Sequence, residues 1–283
     1  MWTFETENIA VAVRPNSSDL LLVTFSHMDF PHQEGKFWCE AAVDKLGYAA
    51  VGIVCKSNCW YPVAEMRALA QSIRNVARDY KTVLLYGHSM GGYAAIKYSA
   101  LLQSHRSIAV SPQFSIDPRD LCSAEGALLD ARLVHLYQPA LNAGMAIDGP
   151  DIGGSIYMVF DPREKLDAWN CARIAQRGDP RSCTITNVRG YNLDHCAVDV
   201  FASTARFSQL AQLCAEDDVE AFLRAFAGFR RTADRRVFNV LKALKGCDLA
   251  RTRRLAAARA PGLHEYWRKQ VEDLCADPAA PAL

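Results

Sequence analysis

The stretch LLYGHSMGGYAAIK, residues 84–97, decides how this chain is read. The run that leads into it, TVLLY at 82–86, is short, apolar and rich in strand-forming residues, as a buried strand requires. Small and apolar residues then continue towards Leu102, as a buried helix requires. Ser89 stands at the junction, between Gly87 and Gly91. A side chain at either glycine would clash with neighbouring backbone in so sharp a strand-to-helix turn. The turn pushes the Ser89 hydroxyl out above the sheet. It also aims the backbone N–H of Met90, at the helix start, at the place where an oxyanion would form.

Working outward, apolar runs alternate with amphipathic ones. Strands are expected at 8–13, 19–26, 49–55, 82–86 and 107–111, and helices at 37–47, 63–80 and from the turn through 102. In the helix at 63–80, Ala64, Leu69, Ile73 and Val76 fall near one face. Strands separated by helices predict crossover connections on a mainly parallel sheet, hence a three-layer α/β fold. Residues 112–150 contain helical pieces but no convincing strand. They read as an insertion, expected as a cap over the C-terminal edge of the sheet. Sheet signals resume at 155–160 and 183–188, and everything after Ala197 reads as helix.

Composition bounds the rest. The 283 residues are 50% hydrophobic with a net charge of +1, which suits a globular protein; no run is long and uncharged enough to predict a membrane span. The first eighteen residues lack the basic flank and unbroken apolar segment of an export signal, so a cytoplasmic location is expected. In that reducing setting the ten cysteines read as small buried residues, with only Cys55 and Cys59 close together. No paired C-x-x-C spacing or histidine pattern calls for a metal.

Gly87-His88-Ser89-Met90-Gly91 fits G-x-S-x-G in its strand-and-helix context, and the segment resembles the nucleophile elbow of the α/β-hydrolase superfamily. The resemblance spans about residues 8–213 and leaves a helical extension, 214–283, outside it. It implies a serine hydrolase that needs no cofactor, with a triad ordered serine, acid, histidine along the chain. His195 lies on a loop just after the last strand, where a general base could reach Ser89. Two aspartates follow the preceding strand. Asp161, directly after it, is favoured because an orienting acid should sit close to the strand end; Asp167 is the alternative, with Asp194 a third.

The resemblance also places a second oxyanion donor in the loop after an early strand, here Ser26 or His27. Phe25-Ser26 stands there in place of the family's usual His-Gly. Trp60 and Tyr61 follow the next strand and could stack on a sugar or an acyl chain, or pack under the cap. They and His88 are the candidate substrate-binding residues. The expected substrate is a small-molecule or glycan-linked acyl ester or thioester, a carboxylesterase or deacylase activity coming first. The alternatives are an acyltransferase using the same triad, and a non-catalytic scaffold. Between Arg230 and Lys269 stand twelve Lys or Arg against Asp234, Asp248 and Glu265. This basic tail is either a solvated face or a docking surface for an anionic or protein partner; no motif points to nucleic acid.

Overall fold

The structure, a computed structural model, describes residues 1–122 and 131–276. Eight strands form one sheet: β1 (Phe4–Glu5), β2 (Ile9–Arg14), β3 (Leu20–Phe25), β4 (Ala49–Cys55), β5 (Thr82–His88), β6 (Arg106–Val110), β7 (Gly154–Phe160) and β8 (Cys183–Arg189). Their order is β1-β2-β4-β3-β5-β6-β7-β8. β2 runs antiparallel to β1 and β4, and every other pairing is parallel. Parallel strands are covered on both faces, which is why they read as continuous apolar runs; all seven residues of β4 are buried.

Successive side chains of each strand feed two cores. Val83 and Leu85 of β5 join one, with α2 (Val63–Ala77), α3 (Met90–Lys97) and α5 (Lys165–Arg177) packed over them. Leu84 and Tyr86 join the other, beneath α1 (Glu40–Leu46) and α6 (Thr204–Ala215). The result is the three-layer α/β arrangement with a helical C-terminal region. α1 starts three residues later than its apolar pattern suggests, because Cys39 adopts a left-handed conformation at φ 68° and the helix can begin only beyond it. β1 was not visible in the sequence; two residues are too few to show a period.

The segment expected as a cap is, in its described parts, tied into a helical layer. Phe114, Ile116, Met145 and Ile147 are buried in the same core as α2 and α3. Asn142, at the end of α4 (Pro139–Asn142), donates to Cys59 O at 2.8 Å, and Tyr93 Oη donates to Met145 O at 2.9 Å. The buried Lys97 ammonium donates to Gly144 O, Ala146 O and Asp151 Oδ2 at 2.8, 2.6 and 2.8 Å. Three acceptors around one buried cation supply what its desolvation removes. Residues 123–130 of this segment lie outside the described residues.

The expected boundary at 213/214 falls inside a continuous packing unit. α7 (Val219–Arg231) sends Phe222 and Phe226 into the core that also holds Tyr157, Phe201 and Phe207, and the Phe222 and Tyr157 rings are 4.7 Å apart. Packing changes after α7 instead. α8 (Asp234–Lys245), α9 (Leu249–Arg259) and α10 (Glu265–Cys275) enclose a small core of their own around Leu241, Ala256, Leu263 and Val271. Side chains of Ser203, Asp218 and Asp248 cap α6, α7 and α9 by accepting from backbone N–H groups in their first turns. If α7 belongs to the main core, Phe222→Ala removes a fully buried ring and lowers unfolding free energy by roughly 3–5 kcal/mol. Urea denaturation checks this as a drop in midpoint at an unchanged slope.

Candidate active site

Ser89 sits where β5 hands over to α3, with φ 54° and ψ −115°. Few non-glycine residues tolerate this backbone, and holding it costs on the order of 1–3 kcal/mol. Neighbours hold it in place: Ser89 N–H donates to Val110 O, and Tyr93 N–H to Ser89 O, both at 2.9 Å. The flanking glycines are required by space. A Cβ on Gly87 would lie 2.0 Å from Gly91 O, and one on Gly91 would lie 2.4 Å from Phe25 O.

His195 leads from the loop after β8 into the 3-10 segment Asp194–Phe201. Its Nε2 lies 3.0 Å from Ser89 Oγ, and its Nδ1 lies 2.9 and 3.0 Å from the two carboxylate oxygens of Asp167. A carboxylate can only accept here, so Nδ1 carries the hydrogen and Nε2 turns its lone pair to the serine hydroxyl. Asp167 is fully buried, whereas the His195 side chain is 32% exposed, so the row opens to solvent at its histidine end.

The carboxylate that meets the imidazole is therefore Asp167, and the preference for Asp161 is corrected. β7 ends at Phe160, and the chain turns through Asp161 before α5 begins, so Asp161 points at backbone. Its Oδ2 accepts from Leu193 N–H at 2.8 Å and Asp194 N–H at 3.0 Å, and its Oδ1 from Arg163 N–H at 2.9 Å. Asp167 lies in the first turn of α5, where the helix dipole favours negative charge. A signal for it existed in the sequence. Asp167, Asn170, Cys171 and Ile174 form the buried face of α5, and a carboxylate on a buried face needs a partner. Asp194, the third candidate, faces away from the imidazole towards Arg235 and Asn239.

For the oxyanion site, Met90 opens α3, so its N–H has no partner within the helix. Ser26 N–H is already committed, donating to Ile53 O at 3.1 Å. Its hydroxyl is committed too: Ser26 Oγ accepts from Cys55 N–H at 3.2 Å and lies 2.9 Å from Tyr61 Oη, which donates to Ser26 O at 2.7 Å. This leaves the His27 N–H as the candidate donor of that loop, with the loop's backbone held against the elbow at Gly91.

The candidate substrate residues are placed elsewhere. Trp60 and Tyr61 both have left-handed backbones, φ 58° and 50°, and turn inward; they are 1% and 0% exposed. Tyr61 is a strut for Ser26, and both rings are buried in the core that holds α2 and α3. His88 Nε2 lies 3.0 Å from His195 O; since a carbonyl only accepts, Nε2 carries the hydrogen, and the ring supports the backbone of His195. Burial pushes the His88 pKa down to about 4, so the ring stays neutral at physiological pH. The rings of His27, His88 and His195 lie in a row, 6.4 and 5.3 Å apart, but among the described residues no group of His, Cys, Asp or Glu is gathered as a metal site. No described helix is long and apolar enough to cross a membrane.

Neither a protein-family model nor a curated protein sequence matches the chain. Its likeness is to solved structures. The capsule O-acetyltransferase of Neisseria meningitidis serogroup A is similar at a TM-score of 0.50 and 13% identity, over 74% of this chain and 93% of that one. Est1E from Butyrivibrio proteoclasticus is similar at 0.42 and 12%, over 80% and 98%. The esterase Pf2001 of Pyrococcus furiosus is similar at 0.41 and 15%, over 70% and 84%. With this sheet order and elbow, the chain has the α/β-hydrolase fold.

Two outcomes follow from the site's construction. Asp161→Ala strands the Leu193 and Asp194 N–H groups and is expected to destabilise the protein by about 1–3 kcal/mol in urea melts. His88, neutral when folded, takes up a proton on unfolding below pH 6.5, so stability falls as pH drops from 6.5 towards about 4. The loss can reach about 3 kcal/mol. His88→Gln is expected to flatten that part of a plot of melting temperature against pH.

Proposed function

We propose that the protein is a serine hydrolase that cleaves an acyl ester or thioester through a covalent acyl-enzyme. Ser89 Oγ attacks the carbonyl carbon as His195 Nε2 takes its proton, and Asp167 holds the imidazole in the tautomer that makes this transfer direct. The N–H groups of Met90 and His27 receive the oxyanion, a contribution of ~3 kcal/mol per donor where measured. As the intermediate collapses, His195 returns the proton to the leaving alcohol or thiol. Water, deprotonated by the same nitrogen, then releases the acid and restores Ser89. The observation that carries this reading is the unbroken row from Asp167 through His195 to Ser89, with contacts of 2.9 and 3.0 Å.

A carboxylesterase or deacylase acting on a carbohydrate or small-molecule ester is the first reading. Transfer of the acyl group to a hydroxyl acceptor is the second, favoured by the likeness to a capsule O-acetyltransferase. Both use the same acyl-enzyme and differ in what attacks it. A fluorophosphonate probe tests the common step. Wild-type protein should label, Ser89→Ala should not, and His195→Ala and Asp167→Asn should label roughly 10²–10⁴-fold more slowly. Folded wild-type protein that fails to label overturns the proposal. With p-nitrophenyl acetate as donor, acetylated sugar in place of free acetate would select the transferase reading.

A further inference from the structure

The helical tail reaches the loop that carries His195. Arg235, in the first turn of α8, donates from Nε to Asp199 Oδ2 at 2.6 Å and from Nη1 to Asp194 Oδ2 and Oδ1 at 3.1 and 3.3 Å. Asn239, one turn further along the same helix face, donates from Nδ2 to Asp194 Oδ2 and to Asn192 O, both at 3.1 Å. Arg230, near the end of α7, donates to Tyr191 O at 3.1 Å. Trp267 of α10 stacks under the Arg235 guanidinium, 5.0 Å from its ring centre, so the small core of the tail backs the contact.

These bonds land on both sides of His195, on residues 191, 192 and 194 and on 199. The loop needs outside support, because Asn192 and Asp194 hold left-handed backbones at φ 66° and 49°, and Cys196 breaks the helical geometry that follows. Such a backbone persists only where its surroundings over-determine it. Asp194 is the hub: its N–H is held from inside by Asp161, its Oδ1 accepts from Cys196 N–H at 2.9 Å, and its carboxylate is gripped from outside by α8.

We propose that Arg235, seconded by Asn239, is a positioning residue for His195, so that the C-terminal helices latch the loop in which the base sits. The inference rests on His195 being the general base. Arg235 touches neither the imidazole nor Ser89; it fixes the backbone from which the ring extends. A planar guanidinium bonding two carboxylates five residues apart, Asp194 and Asp199, restrains orientation as well as distance, which a lysine ammonium cannot do. A misplacement of about 1 Å at a reacting group can cost about 10²-fold in rate.

The test uses the full chain with Arg235→Ala, Arg235→Lys and Asn239→Ala, reading p-nitrophenyl acetate kinetics and amide hydrogen exchange across residues 190–201. Arg235→Ala is expected to lower kcat about tenfold or more while KM stays within about twofold, and to speed exchange in 190–201 but not in the elbow at 84–97. Arg235→Lys should recover part of kcat, and Asn239→Ala should show a smaller loss of the same kind. Unchanged kcat, or a loss that only follows the folded fraction with loop exchange as in wild type, overturns the latch. If Arg235→Ala does not fold, the other two variants decide in the same readouts. Wild-type protein that resists the fluorophosphonate probe would instead remove the hydrolase reading, and loop exchange would still tell whether Arg235 holds the loop.

Discussion

A β-carbon on Gly87 would fall 2.0 Å from Gly91 O, and the arrangement of the site depends on that close approach. It lets β5 end directly in α3 with no intervening loop, which forces Ser89 into its unusual backbone and lifts the hydroxyl clear of the sheet. The same compactness draws in the end of β3, whose Phe25 carbonyl leaves no room for a side chain on Gly91. Ser89 and the loop after β3 are thus placed by backbone contact, which is stiffer than side-chain packing.

Beside this centre stands a turn that runs into the 3-10 segment Asp194–Phe201, which is broken at Cys196. Residues 191–199 are held by three parts of the molecule: Asp161 after β7 binds the backbone of Leu193 and Asp194, His88 binds the carbonyl of His195, and α7 and α8 bind from the outer side. Four carboxylates gather here, Asp161, Asp167, Asp194 and Asp199, and each has donors of its own. That division matters physically, since a half-buried carboxylate without donors would be expensive and would compete for the imidazole. Asp167 is the one whose partner is the imidazole.

The tail gains a structural meaning from this. Its charge excess reads from the sequence as a solvated face or a docking surface, yet one of its arginines is spent inside the molecule, between Asp194, Asp199 and the Trp267 ring. α7 is part of the main core through Phe222 and Phe226, and α8 bonds the loop that carries His195 through Arg235 and Asn239.

The sequence alone determined the parts of this protein that are set by neighbours in the chain. Apolar runs and helical periods locate seven of the eight strands within a residue or two, because burial of a parallel strand or a helix face is written as a local pattern. The elbow was legible for the same reason: glycine, serine and glycine two apart carry their own steric argument. Tertiary structure decided what depends on distant partners. Trp60 and Tyr61 turn inward through two left-handed residues, and Ser26 N–H is consumed by Ile53 from the adjacent strand. Asp167 displaces Asp161 beside His195 because the α5 face, not nearness to the strand end, sets which carboxylate reaches the ring. A pattern of spacing records which face a residue takes; it does not record what comes to meet that face from elsewhere in the chain.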